Sequence, residues 1–159
     1  MKQRFMKMAI NQAIAALSKG EVPIGAVIVR DDKVIAKAHN LRQTKKVATY
    51  HAEVLAIDKA CKKLKSWRLD ECEMYVTLEP CIMCAGAITN ARLKKVYFGA
   101  YEPNGGACES RFKLLSEGVL NHTTEFEGGV MQEECSKLIT DFFKKRRAEN
   151  STAQSGNNK

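Results

Sequence analysis

No run of apolar residues in this sequence approaches the roughly 18 that a membrane-spanning helix needs, so no membrane partner is expected. The N-terminus, Met1-Lys2-Gln3-Arg4-Phe5, is basic, but no apolar core with a small-residue cleavage site follows it. No secretory signal is expected, and the predicted location is cytoplasmic. Internal repeats and linker-like breaks in composition are missing too. The 159 residues are predicted to form one domain over 1–149, large enough to bury a core without staples. Beyond Arg147 the chain turns to Ser, Thr, Asn, Gly and Lys, and 150–159 are predicted as a disordered tail.

Negative charge is scarce. Eighteen Asp and Glu against 26 Lys and Arg leave a formal charge of +8, which favours a polyanionic partner. Clustering strengthens that reading. Lys62, Lys63, Lys65 and Arg68 form one group, Arg92, Lys94 and Lys95 a second, and Lys144, Lys145, Arg146 and Arg147 a third. Six cysteines are present, but without an export signal they read as free thiols or metal ligands rather than disulfides. Cys61 and Cys135 fall on apolar helix faces and are expected in the core. Cys72 and Cys108 carry no signal.

Met6, Ile10, Ala13, Ile14 and Leu17 repeat at helical spacing, with Gly20 as the stop. Residues 23–29 read as a buried strand, Asp31-Asp32 as a turn and 34–38 as the hairpin partner. A polar loop over 40–49 leads to a helix from near His51 to Leu64. A strand over 74–78, a helix over 81–91 and a short strand over 96–99 follow. Asn104-Gly105-Gly106 breaks the pattern, 123–127 reads as an edge strand, and Met131, Cys135, Leu138, Ile139 and Phe142 mark a last helix. Strands alternating with helices predict an α/β fold in three layers.

Chemistry concentrates in His51-Ala52-Glu53 and Pro80-Cys81-Ile82-Met83-Cys84. One imidazole and two thiols make three ligands for a zinc ion, and three protein ligands leave a tetrahedral ion one open position, as in catalytic sites. Residues two apart diverge by roughly 200° inside a helix, so His51 and Glu53 converge only at a helix's first turn. Cys81 and Cys84 are i, i+3 neighbours behind Pro80, which suits a helix start, and a helix N-terminus favours the thiolate. A lone C-x-x-C also fits a redox pair or half of a zinc ribbon, but the second C-x-x-C of a ribbon is absent. Taken together and in this order, the motifs match the H-x-E…P-C-x-x-C signature of zinc deaminases.

Around these motifs the chain resembles the bacterial tRNA-specific adenosine deaminases. The resemblance is carried by Gly20-Glu21-Val22-Pro23-Ile24-Gly25, Ala38-His39-Asn40-Leu41-Arg42, His51-Ala52-Glu53 and Ser66-Trp67-Arg68-Leu69. It continues through Leu78-Glu79-Pro80-Cys81-Ile82-Met83-Cys84 to Asp141-Phe142-Phe143, covering about Phe5 to Arg147. It implies a cytidine-deaminase-like fold, a five-stranded mixed sheet with helices on both faces, acting as a homodimer with one Zn2+ per subunit. It also implies conversion of adenosine to inosine at the wobble position of an arginine tRNA anticodon. His51, Cys81 and Cys84 would bind zinc, Glu53 would shuttle protons, Asn40 would hydrogen-bond the target nucleoside, and Ile24 and Ala52 would line the base pocket. Two positions depart from the family pattern: Glu102 stands where Asp is usual, on a loop that approaches the RNA, and Glu109-Ser110 replaces Gly-Ser.

On the last helix Phe143 and Arg147 are i, i+4 neighbours, offering a stacking face and a phosphate contact to a flanking nucleotide. Core packing for Phe143 and a solvated helix end for Arg147 are the plainer alternatives. Lys62, Lys63 and Lys65 read as a solvated face. Two other functions share the motifs: a free-base or nucleoside deaminase of guanine or cytosine type, and a zinc-stabilised RNA-binding module without catalysis. Glu53 speaks against the module, since a structural zinc needs four ligands and no proton carrier.

Overall fold

The structure, a computed structural model, describes residues 1–156. Its elements are α1 (Lys2–Leu17), β1 (Gly25–Arg30), β2 (Lys33–His39), α2 (Arg42–Lys45), α3 (Ala52–Leu64), β3 (Glu73–Leu78), α4 (Ile82–Asn90), β4 (Lys95–Ala100), β5 (Glu125–Glu127) and α5 (Gln132–Gly156). The five strands form one sheet in the order β2-β1-β3-β4-β5. β1 runs antiparallel to both neighbours, while β3–β4 and β4–β5 are parallel, so the sheet is mixed as predicted.

Strand alternation separates two cores. Ala26 and Ile28 of β1, Met74 and Val76 of β3, and Val96 and Phe98 of β4 face α3 and α4, meeting Ala52, Ala56, Ala85 and Ile88. The intervening Val27, Val29, Tyr75 and Tyr97 face the other way, against Phe5, Met6 and Ala9 of α1 and Cys135 of α5. This period of two on strands that are covered on both sides gives three layers. Cys135 is buried, as its helical phase indicated, and Cys61 is half-buried against the α3–α4 core.

Three departures from the sequence reading have physical causes. The polar stretch after Asn40 contains a short helix, α2, whose Gln43 and Thr44 N–H groups donate to the buried Glu21 carboxylate at 3.0 and 2.7 Å. A carboxylate some twenty residues away satisfies these free amide groups, so no local pattern announces the turn. α1 begins at Lys2, one turn before its first apolar marker. α5 continues to Gly156, past the point at which composition predicted fraying. Ala148, Glu149, Ala153 and Gln154 are favourable helix residues, and extending a formed helix is easy compared with starting one. Residues 157–159 of the predicted tail lie outside the described residues. No helix among the described residues is long and apolar enough to cross a membrane.

α1 crosses β1 closely at Gly25, where a Cβ would run into the Ala9 carbonyl oxygen and the Ala13 nitrogen. Gly25→Ala is expected to force α1 off β1 and destabilise the chain by about 1–3 kcal/mol, the usual range for overpacking. An unchanged midpoint in urea denaturation would contradict this packing.

Candidate metal and substrate site

β3 ends at Leu78, and after Glu79-Pro80 the chain enters α4 with Cys81 as N-cap, φ −78° and ψ 179°. His51 is the N-cap of α3, at φ −75° and ψ 152°. Both residues are extended while the next is helical, so their side chains project past the helix ends. The two helix starts meet. His51 Nδ1 lies 3.6 Å from Cys81 Sγ and 3.5 Å from Cys84 Sγ, and the three donor atoms all fall within 4.8 Å of one another. A tetrahedral zinc with bonds of about 2.0–2.1 Å to nitrogen and 2.3 Å to sulfur places N and S about 3.6 Å apart. The donor set therefore fits that ion in chemistry and spacing. Cys84 is wholly buried, and His51 and Cys81 are half-buried.

The two sulfurs are hydrogen-bonded to each other. A hydrogen bond from Cys84, reinforced by His51, lowers the Cys81 thiol to about 4, against the opposing effect of burial. Cys84 is pushed upward by the same bond, by burial and by Glu53. His51 is raised chiefly by its bond to Cys81. Binding a metal through both thiolates would release the Cys84 proton.

Glu53 sits in the first turn of α3, only 4% exposed. Burial raises its carboxyl pKa, and the Cys81 sulfur adds to the effect, so the carboxyl holds a proton more readily than usual. It borders a cleft of about 820 Å³ together with Ile24, His51, Cys81, Glu102, Phe143 and Arg147. An adjoining space of about 380 Å³ reaches Asn40 and Ala52 and shares Ile24, His51, Glu102 and Phe143 with the first. Every residue singled out from sequence thus borders one of the two spaces except Cys84, which lies behind the wall.

Asn40 is held from several sides. Its Oδ1 accepts the Arg42 N–H at 3.0 Å, its Nδ2 donates to the Val22 carbonyl at 3.4 Å, and its own N–H donates to Ile24 at 3.1 Å. Phe143 is 39% exposed and packs edge-on against Phe142 at 5.2 Å, so it is not a core residue. Arg147 is exposed, and Arg42 and Arg146 stand at the same mouth.

Besides Glu21, a second buried carboxylate was missed. Glu79, 2% exposed, accepts the N–H groups of Glu102, Cys108, Glu109 and Ser110 at 3.1, 3.2, 2.8 and 2.9 Å, and also the Ser110 hydroxyl. Gly106 passes so close to this carboxyl that a Cβ would collide with it. Glu79 therefore shapes the loop 101–110 that walls the cleft, next to the Cys81 donor. The only sequence signal was an acidic residue between a strand and Pro80, since its partners lie more than twenty residues away. Glu102 turns its carboxylate onto the Asn104 N–H at 2.9 Å. Glu109 contributes its backbone to the anchor and leaves its side chain exposed, so a side chain at 109 leaves the anchor intact.

Sheet order, the paired helix starts and the His/Cys/Cys group together are those of the deaminase class, and residues 1–147 match the family described as MafB19-like deaminase. The tRNA-specific adenosine deaminase of Bacillus subtilis (strain 168) is 49% identical over 150 residues, covering 94% of this chain and 93% of the relative. A solved structure from studies of A-to-I editing by tRNA:A34 deaminases superposes with a TM-score of 0.82 at 41% identity, covering 85% of this chain and 98% of that one. A guanine deaminase structure from Bacillus subtilis gives 0.61 at 43% identity, covering 69% of each chain. The chain belongs to the family of tRNA-specific adenosine deaminases.

Burial alone would raise the Glu79 pKa, but the bonds from Ser110, Glu109 and Glu102 outweigh it and hold it below its ordinary 4.5. A carboxyl lowered by folding adds stability that is complete above its unfolded value and lost as pH falls through its folded one. Glu79→Gln sets an amide NH2 against these donors. It should cost about 1.5–3 kcal/mol at neutral pH and flatten the loss of stability on acidification below 4.5, read by denaturation across pH. Amide exchange at Cys108, Glu109 and Ser110 should accelerate in the same variant, and unchanged protection would contradict the anchor.

Proposed function

We propose that this chain hydrolyses adenosine to inosine and ammonia at the wobble position of a tRNA anticodon, with an arginine tRNA as substrate, as a cytoplasmic zinc-dependent homodimer. The observation that carries this is the meeting of His51, Cys81 and Cys84 beside buried Glu53, in a chain 49% identical to a tRNA-specific adenosine deaminase. His51, Cys81 and Cys84 would hold the ion, and zinc in such a site supplies a Lewis acid that makes water nucleophilic near neutral pH.

The remaining work falls to the chain's own residues. Glu53 takes a proton from the attacking water and delivers it to ring N1, which opens C6 to addition. The same carboxyl then takes the second proton from the new C6 hydroxyl and passes it to the amino nitrogen; the C6–N bond breaks, ammonia leaves and C6 becomes the carbonyl of inosine. Burial raises the carboxyl's pKa, the direction that suits a group which must both accept and return a proton. Asn40, braced by α2 and the 22–24 backbone, would hold the nucleoside, with Ile24 and Ala52 against the base. Phe143 would stack on a flanking nucleotide, and Arg147 would meet a phosphate. Glu102 would face the RNA from the loop that Glu79 anchors.

The open cleft and the cations at its mouth favour a nucleotide within a chain over a free base, which needs neither. An anticodon loop is already unpaired, so presenting its base costs less than opening a duplex. The exposed Ile82, at 52% beside the Cys81 donor, is apolar surface that a second subunit would cover. The guanine deaminase likeness keeps one rival in view, a free-base enzyme on the same core.

Zinc-loaded protein is to be incubated with an arginine tRNA anticodon stem-loop bearing wobble adenosine, alongside adenine, guanine, cytosine and cytidine. Inosine in the RNA alone is expected; deamination of a free base with the RNA untouched would overturn the proposal. Glu53→Gln should keep its zinc and lose roughly 10²–10⁴-fold in turnover. Normal turnover in that variant would remove Glu53 from the mechanism.

A further inference from the structure

Lys62, Lys63 and Lys65, first read as a solvated face, lead to the chain's only tryptophan, and Arg68 and Arg92 flank its ring. Trp67 lies three residues beyond α3 and is 61% exposed. The guanidinium groups of Arg68 and Arg92 stand 5.4 and 6.0 Å from the ring centre. Beneath the ring the backbone is braced. Leu69 N–H donates to Ala91 at 2.7 Å, Lys94 N–H to Cys72 at 3.0 Å, and Arg68 N–H to the Ser66 hydroxyl at 3.1 Å. The loop is thus fixed, while the largest apolar ring in the chain is left in water.

A second observation concerns the backbone on either side. Lys65 and Arg92 have φ of 53° and 62°, in the left-handed region that favours glycine. They follow α3 and α4, where glycine would close the helix with less strain. The helix dipole accounts for a cation at such an end, but not for an exposed indole between the two. Asp70 holds Arg68 through two bonds of 3.0 Å, and Glu71 adds a further negative charge. Attraction for an anion therefore rests on Arg92 beside the ring and on Lys62, Lys63 and Lys65 in the segment that leads to it.

We infer that Trp67 is a stacking platform for an unpaired base of tRNA outside the anticodon loop, with these cations on the adjoining phosphates. The inference rests on tRNA being the substrate. An aromatic face within a field of cations is the general device for holding single-stranded nucleotides. The 13 residues of α3 put the platform about 20 Å along the helix from His51, beyond the nucleotides flanking a base in the cleft.

Because Trp67 is the sole tryptophan, its fluorescence reports contact directly. Zinc-loaded protein is titrated with full-length arginine tRNA and with a minimal anticodon hairpin, and kcat and KM are measured on both. We expect the tRNA to quench Trp67 and the hairpin to leave it unchanged. Trp67→Ala should raise KM for full-length tRNA roughly tenfold, leave kcat and both hairpin constants alone, and be largely rescued by Trp67→Phe. Emission indifferent to tRNA, equal losses on both RNAs, or emission that follows protein concentration alone (a second copy covering the ring) would overturn the inference. Quenching by tRNA in an enzyme that converts neither RNA would support the platform while contradicting the proposed function.

Discussion

Everything at this site depends on two helices beginning at the same point in space. His51 caps α3 and Cys81 caps α4, and only at those first positions does a side chain escape the radial spread of a helix. The sheet makes the meeting possible. α3 packs on β1 and β2, α4 follows β3, and the antiparallel β1–β3 pairing sets them side by side on one face. Burial beneath α3 and α4 then fixes both axes, so that an imidazole nitrogen and two sulfurs stand at the spacing a tetrahedral ion requires.

That arrangement places Glu53 where its chemistry is useful. In the first turn of α3, it is close enough to the donors to feel Cys81, and its burial raises its pKa. The second buried carboxylate nearby, Glu79, has the opposite character. Backbone amides saturate it and keep it ionised, which makes it an anchor and not a proton carrier. Burial is shared by both, and the number of amide donors decides the direction in which each pKa moves.

What could be read from sequence was whatever repeats locally. The spacing of Met6, Ala13 and Leu17 marked α1, and the unbroken apolar run through Val27, Ile28 and Val29 marked a buried strand. Helix phase required His51 and Cys81 to open helices, and both do. What stayed hidden was held by remote partners. α2 depends on Glu21, the 101–110 loop depends on Glu79, and neither carboxylate bonds to its own neighbourhood. Phe143 was ambiguous for a related reason, because an apolar residue at a stripe's edge is core or surface depending on where the helix docks. Its exposure places it on the cleft side.

Zinc-edge X-ray absorption on the purified protein tests the central claim most directly. Two helix starts contributing one nitrogen and two sulfurs predict a first shell of two sulfurs at about 2.3 Å and two lighter atoms at about 2.0–2.1 Å, one of the latter exchangeable. A shell of three or four sulfurs, or a fourth ligand from the protein that closes the site, would contradict it.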